Sequence, residues 1–237
     1  MSDRPSSDSR HRFLSSFRTG AIRIWLFMPS AVLYGMAFGI MAGTTGLTLG
    51  ESGVFSAVVY AGGAQMGSLQ GWAHPVPILF VCLTTAAINS RYVLMGATLR
   101  PFLAGRPAWQ VYGTLFLLTD STWIMAMRDR DEDLDGVGYV LGGGLTMWTM
   151  WIASSMAGQA FGQLIADPRA FGFDFMLAAF FSMAAVNFWR QSRNVAPLLI
   201  AAAVAILVQR LLPGPWYILI GALAGSLAGA IRYARAA

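Results

Sequence analysis

Three short segments carry most of the polar chemistry found inside the apolar stretches of this sequence: Gly62-Gly63-Ala64-Gln65, Asn89-Ser90-Arg91-Tyr92 and Thr119-Asp120-Ser121-Thr122. The first joins two glycines to an amide side chain. Each glycine destabilises a helix by about 1 kcal/mol relative to alanine. A helix that unwinds here frees backbone N–H and C=O groups. Inside a membrane such groups must face protein or a water-filled cavity. Broken helices of this kind hold the carboxylate and ammonium ends of transported substrates. Gln65 would add one more donor and acceptor. The same residues also suit a tight helix crossing with Gln65 as an interhelical hydrogen bond, and the sequence leaves both readings open.

Arg91 lies deep in an apolar run. Left facing lipid, an arginine costs at least about 2.5 kcal/mol. It stands about 12 Å from the end of that run at 1.5 Å per residue, a long reach for snorkelling. Pairing or lining a cavity is therefore the preferred reading, with Asn89 beside it. Asp120 has Phe116, Leu117 and Leu118 before it and Trp123, Ile124 and Met125 after it. An acid so placed is a candidate proton carrier in a coupled transporter. Its one comparably deep partner of opposite charge in an adjacent run is Arg91, and a static ion pair that fixes helix register is the alternative. Asp174 sits nearer the end of its run and is a weaker candidate.

The elements that position these residues are helices in a membrane. Of 237 residues, 56% are hydrophobic and only 11% charged. A soluble domain carries roughly a quarter charged residues, so the deficit points to lipid as the main solvent. Runs long enough to cross about 30 Å of hydrocarbon occur at 22–44, 53–71, 76–99, 109–127, 137–165, 171–189, 195–211 and 215–233. They are apolar all round, which excludes the alternation of a β-barrel. An open sheet would leave backbone groups unpaired in lipid. The expected fold is therefore all-α, a polytopic transmembrane helical bundle of about eight spans, with seven the alternative. Eight Trp, fifteen Phe and seven Tyr suit aromatic belts at the two interfaces. Residues 1–20, rich in Ser, Asp and Arg, are expected to form a polar cytoplasmic tail ahead of a single transmembrane domain over 21–237. They show no short apolar core or cleavage site of a signal peptide.

Charge sets the orientation. All 16 basic residues are arginine, and the net charge is +5. They punctuate the apolar runs instead of forming one basic face, so they read as topology signals and not as a nucleic-acid surface. With eight spans and the N-terminus cytoplasmic, 11 arginines fall inside and 4 outside, leaving out Arg91. The acidic run Arg128–Asp135 is expected as a loop with solvated charges. Glycines at four-residue spacing, Gly35, Gly39 and Gly43 early and Gly221, Gly225 and Gly229 late, read first as helix-packing faces. Cys82 is the only cysteine, and His11 and His74 belong to no cluster, which argues against a metal enzyme and leaves no metal or cofactor implied. No phosphate-binding glycine loop with lysine is present, so energy would come from an ion gradient.

Several of these segments together resemble the AzlC family, the large subunit of bacterial branched-chain amino-acid exporters. Tyr34-Gly-Met-Ala-Phe-Gly39 is similar to that family's opening helix. Val59-Tyr-Ala-Gly-Gly-Ala-Gln65 resembles its Phe-Ala-Gly-x-Ala-Gln signature. Asn89-Ser-Arg91-Tyr92 resembles its Asn-x-Arg-His segment, and Leu118-Thr-Asp120 its Thr-Asp-Glu segment. Asp174-Phe175 with Ala179-Phe-Phe181 resembles a later element. Tyr92 stands where the family often has histidine and Ser121 where it often has glutamate, which removes two titratable groups and leaves Asp120 as the main proton-coupling candidate. The resemblance implies export of small hydrophobic amino acids across the bacterial inner membrane. It also implies a separate small membrane subunit of the AzlD type as partner, with a higher oligomer possible. Substrate binding would fall to Gly62, Gly63, Gln65, Asn89 and Arg91. A passive channel or facilitator and a non-transporting scaffold subunit are the alternatives. An intramembrane enzyme lacks a base near a serine.

Overall fold

The computed structural model describes residues 7–73, 75–162, 195–212 and 216–236, together with Ser182 and Val186. Among these residues every regular element is helical. His74, Asp174 and the expected span at 171–189, apart from Ser182 and Val186, lie outside the described residues. Two compact units account for the chain, one formed by Met1–Gly62 with Asn89–Leu164 and one by Gly63–Ile88 with Ile165–Ala237.

In the first unit, α1 (Ser7–Arg23), a 3-10 turn (Ile24–Phe27) and α2 (Met28–Thr44) follow one another. Pro29 explains the 3-10 turn. It offers no N–H and its ring crowds the carbonyl four residues earlier, so the preceding turn tightens. Residues 7–20, expected as a polar tail, are thus helical. The chain continues with α3 (Leu49–Val59), α4 (Gly62–Leu69), α5 (Ile78–Asn89), α6 (Arg91–Leu99), α7 (Ala108–Phe116), α8 (Asp120–Arg128) and α9 (Gly136–Gly162), of which α4 and α5 fall almost wholly in the second unit. Ser9–Thr44 is long and apolar enough to cross a membrane, and α5 with α6 passes the same test as a pair bent by 40°. The expected runs 53–71, 76–99 and 109–127 each fall on two helices with a break between them.

α9 is the post on which this unit is assembled. Glycines on both sides bring backbones into contact. A side chain on Gly20 would run into the carbonyl of Tyr139, and one on Gly39 into that of Ser155. Reciprocally, Gly142 lies against the Phe17 carbonyl and Gly158 against that of Met36. α1 and α2 therefore run parallel to α9, residue numbers rising together along the contact. Small residues at such faces allow close approach and dispersion contact without a hydrophobic driving force. The expected packing role of Gly35, Gly39 and Gly43 is what the structure shows, with Gly35 on Ser154 and Gly43 beside Gln159.

α7 and α8 form a hairpin against the first half of α9. The connection before α7 pairs Arg106 with Asp135, and Phe102 packs edge-on against Tyr139 at 6.2 Å. The tip residue Leu117 meets Gly144, and Leu118 joins Val137 and Val140 in a buried cluster. The chain then returns, and Asp129 after α8 lies back at Tyr139.

The run Arg128–Asp135 is not simply solvated, as the sequence suggested. Asp129 and Asp135 are 5% and 9% exposed. Asp129 binds Arg23 at 2.8 Å and Arg128 at 2.7 Å, and accepts from the Tyr139 hydroxyl. Asp135 caps α9 by accepting from Gly138 N–H at 2.8 Å, and its own N–H donates to Ser16 Oγ at 2.8 Å. Arg12 reaches Asp133. These bonds exist because α1 continues past the apolar core and brings its arginines to the acidic loop.

In the second unit, α10 (Ala196–Leu211) and α11 (Trp216–Ala236) pack as a pair. Gly221 faces Ala205 and Ala201, and Gly225 faces Ala201 and Pro197. α4 and α5 fold against one another, with Gly67 on Thr84 and Ile88 and Gly71 on Phe80.

Two predictions follow from this packing. Gly158→Ala should lower stability by about 1–3 kcal/mol through overpacking on backbone that cannot move aside. Gly113→Ala, where an added Cβ meets nothing within 4 Å, should be neutral or stabilising by up to about 1 kcal/mol. Thermal unfolding in detergent separates the two. The hydrogen bond from Arg128, aided by Tyr139 and Arg23, holds the Asp129 carboxyl well below the usual carboxylate range. Its contribution is complete above an unfolded value of about 4 and is lost as pH falls through the lower folded value. Asp129→Asn should cost about 1–2 kcal/mol at neutral pH, between the values for exposed and fully buried pairs, and should converge with the wild type in strong acid.

Candidate functional site

Three helix breaks define the site, and each has a local cause. Between α3 and α4, Tyr60 adopts a left-handed conformation with φ 41°, which costs a non-glycine residue roughly 1–2 kcal/mol. Its hydroxyl donates to the Gly144 carbonyl at 3.3 Å, and the residue is 5% exposed. The break therefore falls at Tyr60–Ala61, just before the glycine pair. Gly62 and Gly63 are not unwound; they open α4. Between α5 and α6 the break falls at Ser90. Between α7 and α8 it spans Leu117–Thr119, where Thr119 is extended and caps α8. Thr119 N–H donates to Thr122 Oγ1 at 2.8 Å, and Thr122 N–H donates to Thr119 Oγ1 at 3.2 Å. This reciprocal box satisfies the backbone groups that the break frees.

The breaks place opposite charges at the first residues of two half-helices. Arg91 opens α6 and Asp120 opens α8. Arg91 Nη2 lies 2.8 Å from Asp120 Oδ2, and both side chains are 46% exposed. The pair anticipated from sequence is formed, and it faces open space instead of being sealed in a core. The helix macrodipole favours the carboxylate at an N-terminus and disfavours the guanidinium there. The ion pair offsets that second cost. The Arg91 guanidinium stacks over the Tyr92 ring at 5.1 Å and donates to its hydroxyl at 3.4 Å. Trp123 Nε1 donates to Thr98 Oγ1 at 2.9 Å, a second link between α8 and α6. Tyr34 lies within electrostatic reach of Arg91, Asp120 and Tyr92, and Tyr60 of Tyr92. Tyr34 packs edge-on against Trp151 at 5.7 Å. Gly62 completes this wall, since a Cβ there would come within 2.5 Å of Tyr34 and 2.7 Å of Trp151.

A family model described as AzlC protein matches residues 27–165. The chain belongs to the AzlC family. It is also 27% identical over 221 residues to the inner membrane protein YgaZ of Escherichia coli (strain K12), a match covering 86% of this chain and 87% of that protein. No solved structure matches.

The matched AzlC region contains all three breaks. Of the expected site residues, Gly62, Asn89, Arg91 and Asp120 belong to the first unit, and Gly63 and Gln65 to the second. Arg91 and Asp120 are in contact. Asn89 ends α5 two residues before Arg91, and its Oδ1 is buried with no donor among the described residues. Gln65 is fully buried on α4. Tyr34, Tyr60, Trp151 and the Thr119–Thr122 box were not read from the sequence as site residues. Aromatic content suggested interface belts; Trp109 and Tyr112 are exposed, whereas Tyr60 and Trp151 are buried. The signal available was Tyr60 beside the Gly-Gly pair, and Thr-x-x-Thr preceding an apolar run. Thr119→Val should cost about 1 kcal/mol through the lost cap and loosen Asp120. Thr119→Ser, which keeps the acceptor, should restore most of the thermal stability lost in the valine variant.

Proposed function

We propose that this chain is the large subunit of a secondary-active exporter of branched-chain or related small hydrophobic amino acids, coupled to the proton gradient of the bacterial inner membrane. The carrying observation is the Arg91–Asp120 pair, accessible where two helices break and walled by aromatic rings. Membership of the AzlC family and similarity to an inner membrane protein support the setting. Arg91 would take the substrate carboxylate, and the free Asn89 acceptor the ammonium. Gly62 would contribute from the start of α4, with Tyr34 and Trp151 against the apolar side chain, while Gly63 and Gln65, the other binding residues expected from the sequence, belong to the second unit. Such a site needs few polar groups. Asp120 exchanges Arg91 for a proton when substrate carboxylate occupies the guanidinium, which links the two movements without a further titratable group.

The chain is polytopic in this reading. Among the described residues, Arg10, Arg12, Arg18 and Arg23 lie on α1 and Arg100, Arg106, Arg128 and Arg130 at or beyond the outer ends of α6, α7 and α8, while the α2–α3 connection carries no arginine. The positive-inside bias then puts the N-terminus in the cytoplasm. A small AzlD-type membrane subunit is the expected partner.

The test is efflux of labelled leucine and valine from proteoliposomes containing the chain with that subunit. Arg91→Ala should reduce efflux by about 100-fold, the order expected for a lost charge-assisted contact. Asp120→Asn should leave binding of leucine in place and abolish its dependence on the pH gradient. Wild-type rates in both variants would overturn the assignment. Efflux indifferent to collapse of the gradient in the unaltered protein would instead identify a passive facilitator.

A further inference from the structure

We propose that α7 and α8 are a re-entrant hairpin. Residues 108–128 enter the membrane from the arginine-rich face, turn at Leu117–Thr119 and leave by the same face. Asp120 then reaches the interior at the tip of a loop and not in the middle of a crossing helix. This rests on the membrane reading above, and in it the run 109–127 is not a crossing.

Length is the first argument. Each of these helices has nine residues, about 13.5 Å at 1.5 Å per residue, against about 30 Å of hydrocarbon. End to end they would almost suffice, but they are not laid end to end. Both outer ends lie at the start of α9. Arg106, one residue before Pro107, pairs with Asp135. Gly136 abuts the Phe102 carbonyl. At the other end of the hairpin, Asp129 accepts from Tyr139 and pairs with Arg23. A crossing segment would hold its two flanking loops on opposite faces. Here both loops touch residues 135–139.

The tip lies further along the post. Leu117 meets Gly144, eight residues or about 12 Å from Gly136, and α9 continues for a further 18 residues to Gly162. The turn therefore stops short of the far face. Non-helical backbone at that depth is tolerated only when buried in protein or lining a cavity. The turn is buried, with Leu117 and Leu118 5% and 3% exposed, and Thr119 with Thr122 satisfies backbone groups at the start of α8. The rest of α9 shows where the opposite face is. Gln159 near its end donates to the Leu47 carbonyl at 2.5 Å, so the connection before α3 belongs to the other side.

Two measurements on the full-length chain, in a Cys82→Ser background, test this. Ala104→Cys and Asp131→Cys flank the hairpin, and Gly50→Cys lies beside the opposite connection with nothing within 4 Å of an added Cβ. A membrane-impermeant maleimide should label the first two from the same side of sealed vesicles, and the third from the other side. Labelling of Ala104→Cys and Asp131→Cys from opposite sides would overturn the hairpin and leave the transport reading intact. Equal labelling of all three from both sides of sealed vesicles would overturn the membrane reading and, with it, a hairpin that enters a membrane. Ala104 and Leu134 line one cavity, so Ala104→Cys with Leu134→Cys should be joined within one chain by a short bismaleimide in detergent. This measurement is independent of any membrane, and absence of the link would overturn the hairpin by itself.

Discussion

Backbone contact with α9 is the constraint on which the first unit depends. Gly20, Gly39, Gly142 and Gly158 each occupy a place where a side chain would meet a carbonyl of the facing helix. Apolar surface gives little net drive for association between helices already in lipid, so close approach and dispersion must supply it. Once α1 and α2 are seated on α9, much else is set. Their parallel course carries Arg12 and Arg23 to the acidic loop. It also leaves the opposite side of α9 to receive α3 through Tyr60, Trp148 and Gln159.

The second consequence concerns polarity. An apolar bundle tolerates charge only where a partner and satisfied backbone accompany it. The structure meets that condition twice, in different ways. At the start of α9, Asp129 and Asp135 are buried among arginines, a tyrosine hydroxyl and capped N–H groups, and this arrangement fixes geometry. Nearer the middle, Arg91 and Asp120 pair with nearly half of each side chain still accessible. A pair held in the open can be separated by a competing carboxylate or proton at far lower cost than one sealed in a core. That difference in exposure, more than the charges themselves, distinguishes the candidate site from the structural cluster.

Broken helices deliver those charges. Tyr60, Ser90 and Thr119 interrupt three apolar runs, and the polar residues of interest lie at or beside each interruption. The tip of the α7–α8 hairpin shows how the chain accommodates a turn at depth. Its leucines seal against glycine and valine of α9, and its threonines close the hydrogen bonds. Of the two glycines that suggested an unwound segment, Gly62 serves as a flat surface for Tyr34 and Trp151. The strain is carried one step earlier, at Tyr60.

The amino-acid sequence by itself determined the helical class, the apolar runs, the packing faces of the spaced glycines, the family and the two charges most in need of a partner. These are properties of composition and local spacing, and each follows from what a residue costs in lipid or in a helix. Tertiary structure alone decided that residues 109–127 fold back instead of running through, that residues 7–20 are helix packed on α9, and that Asp129 and Asp135 are buried while Asp120 stays accessible. The reason is physical. A nine-residue apolar helix reads the same whether its chain continues or returns, and a carboxylate reads the same whether water or arginine surrounds it. Only the contacts of Arg106 with Asp135 and of Arg23 with Asp129, both far apart in sequence, separate those outcomes.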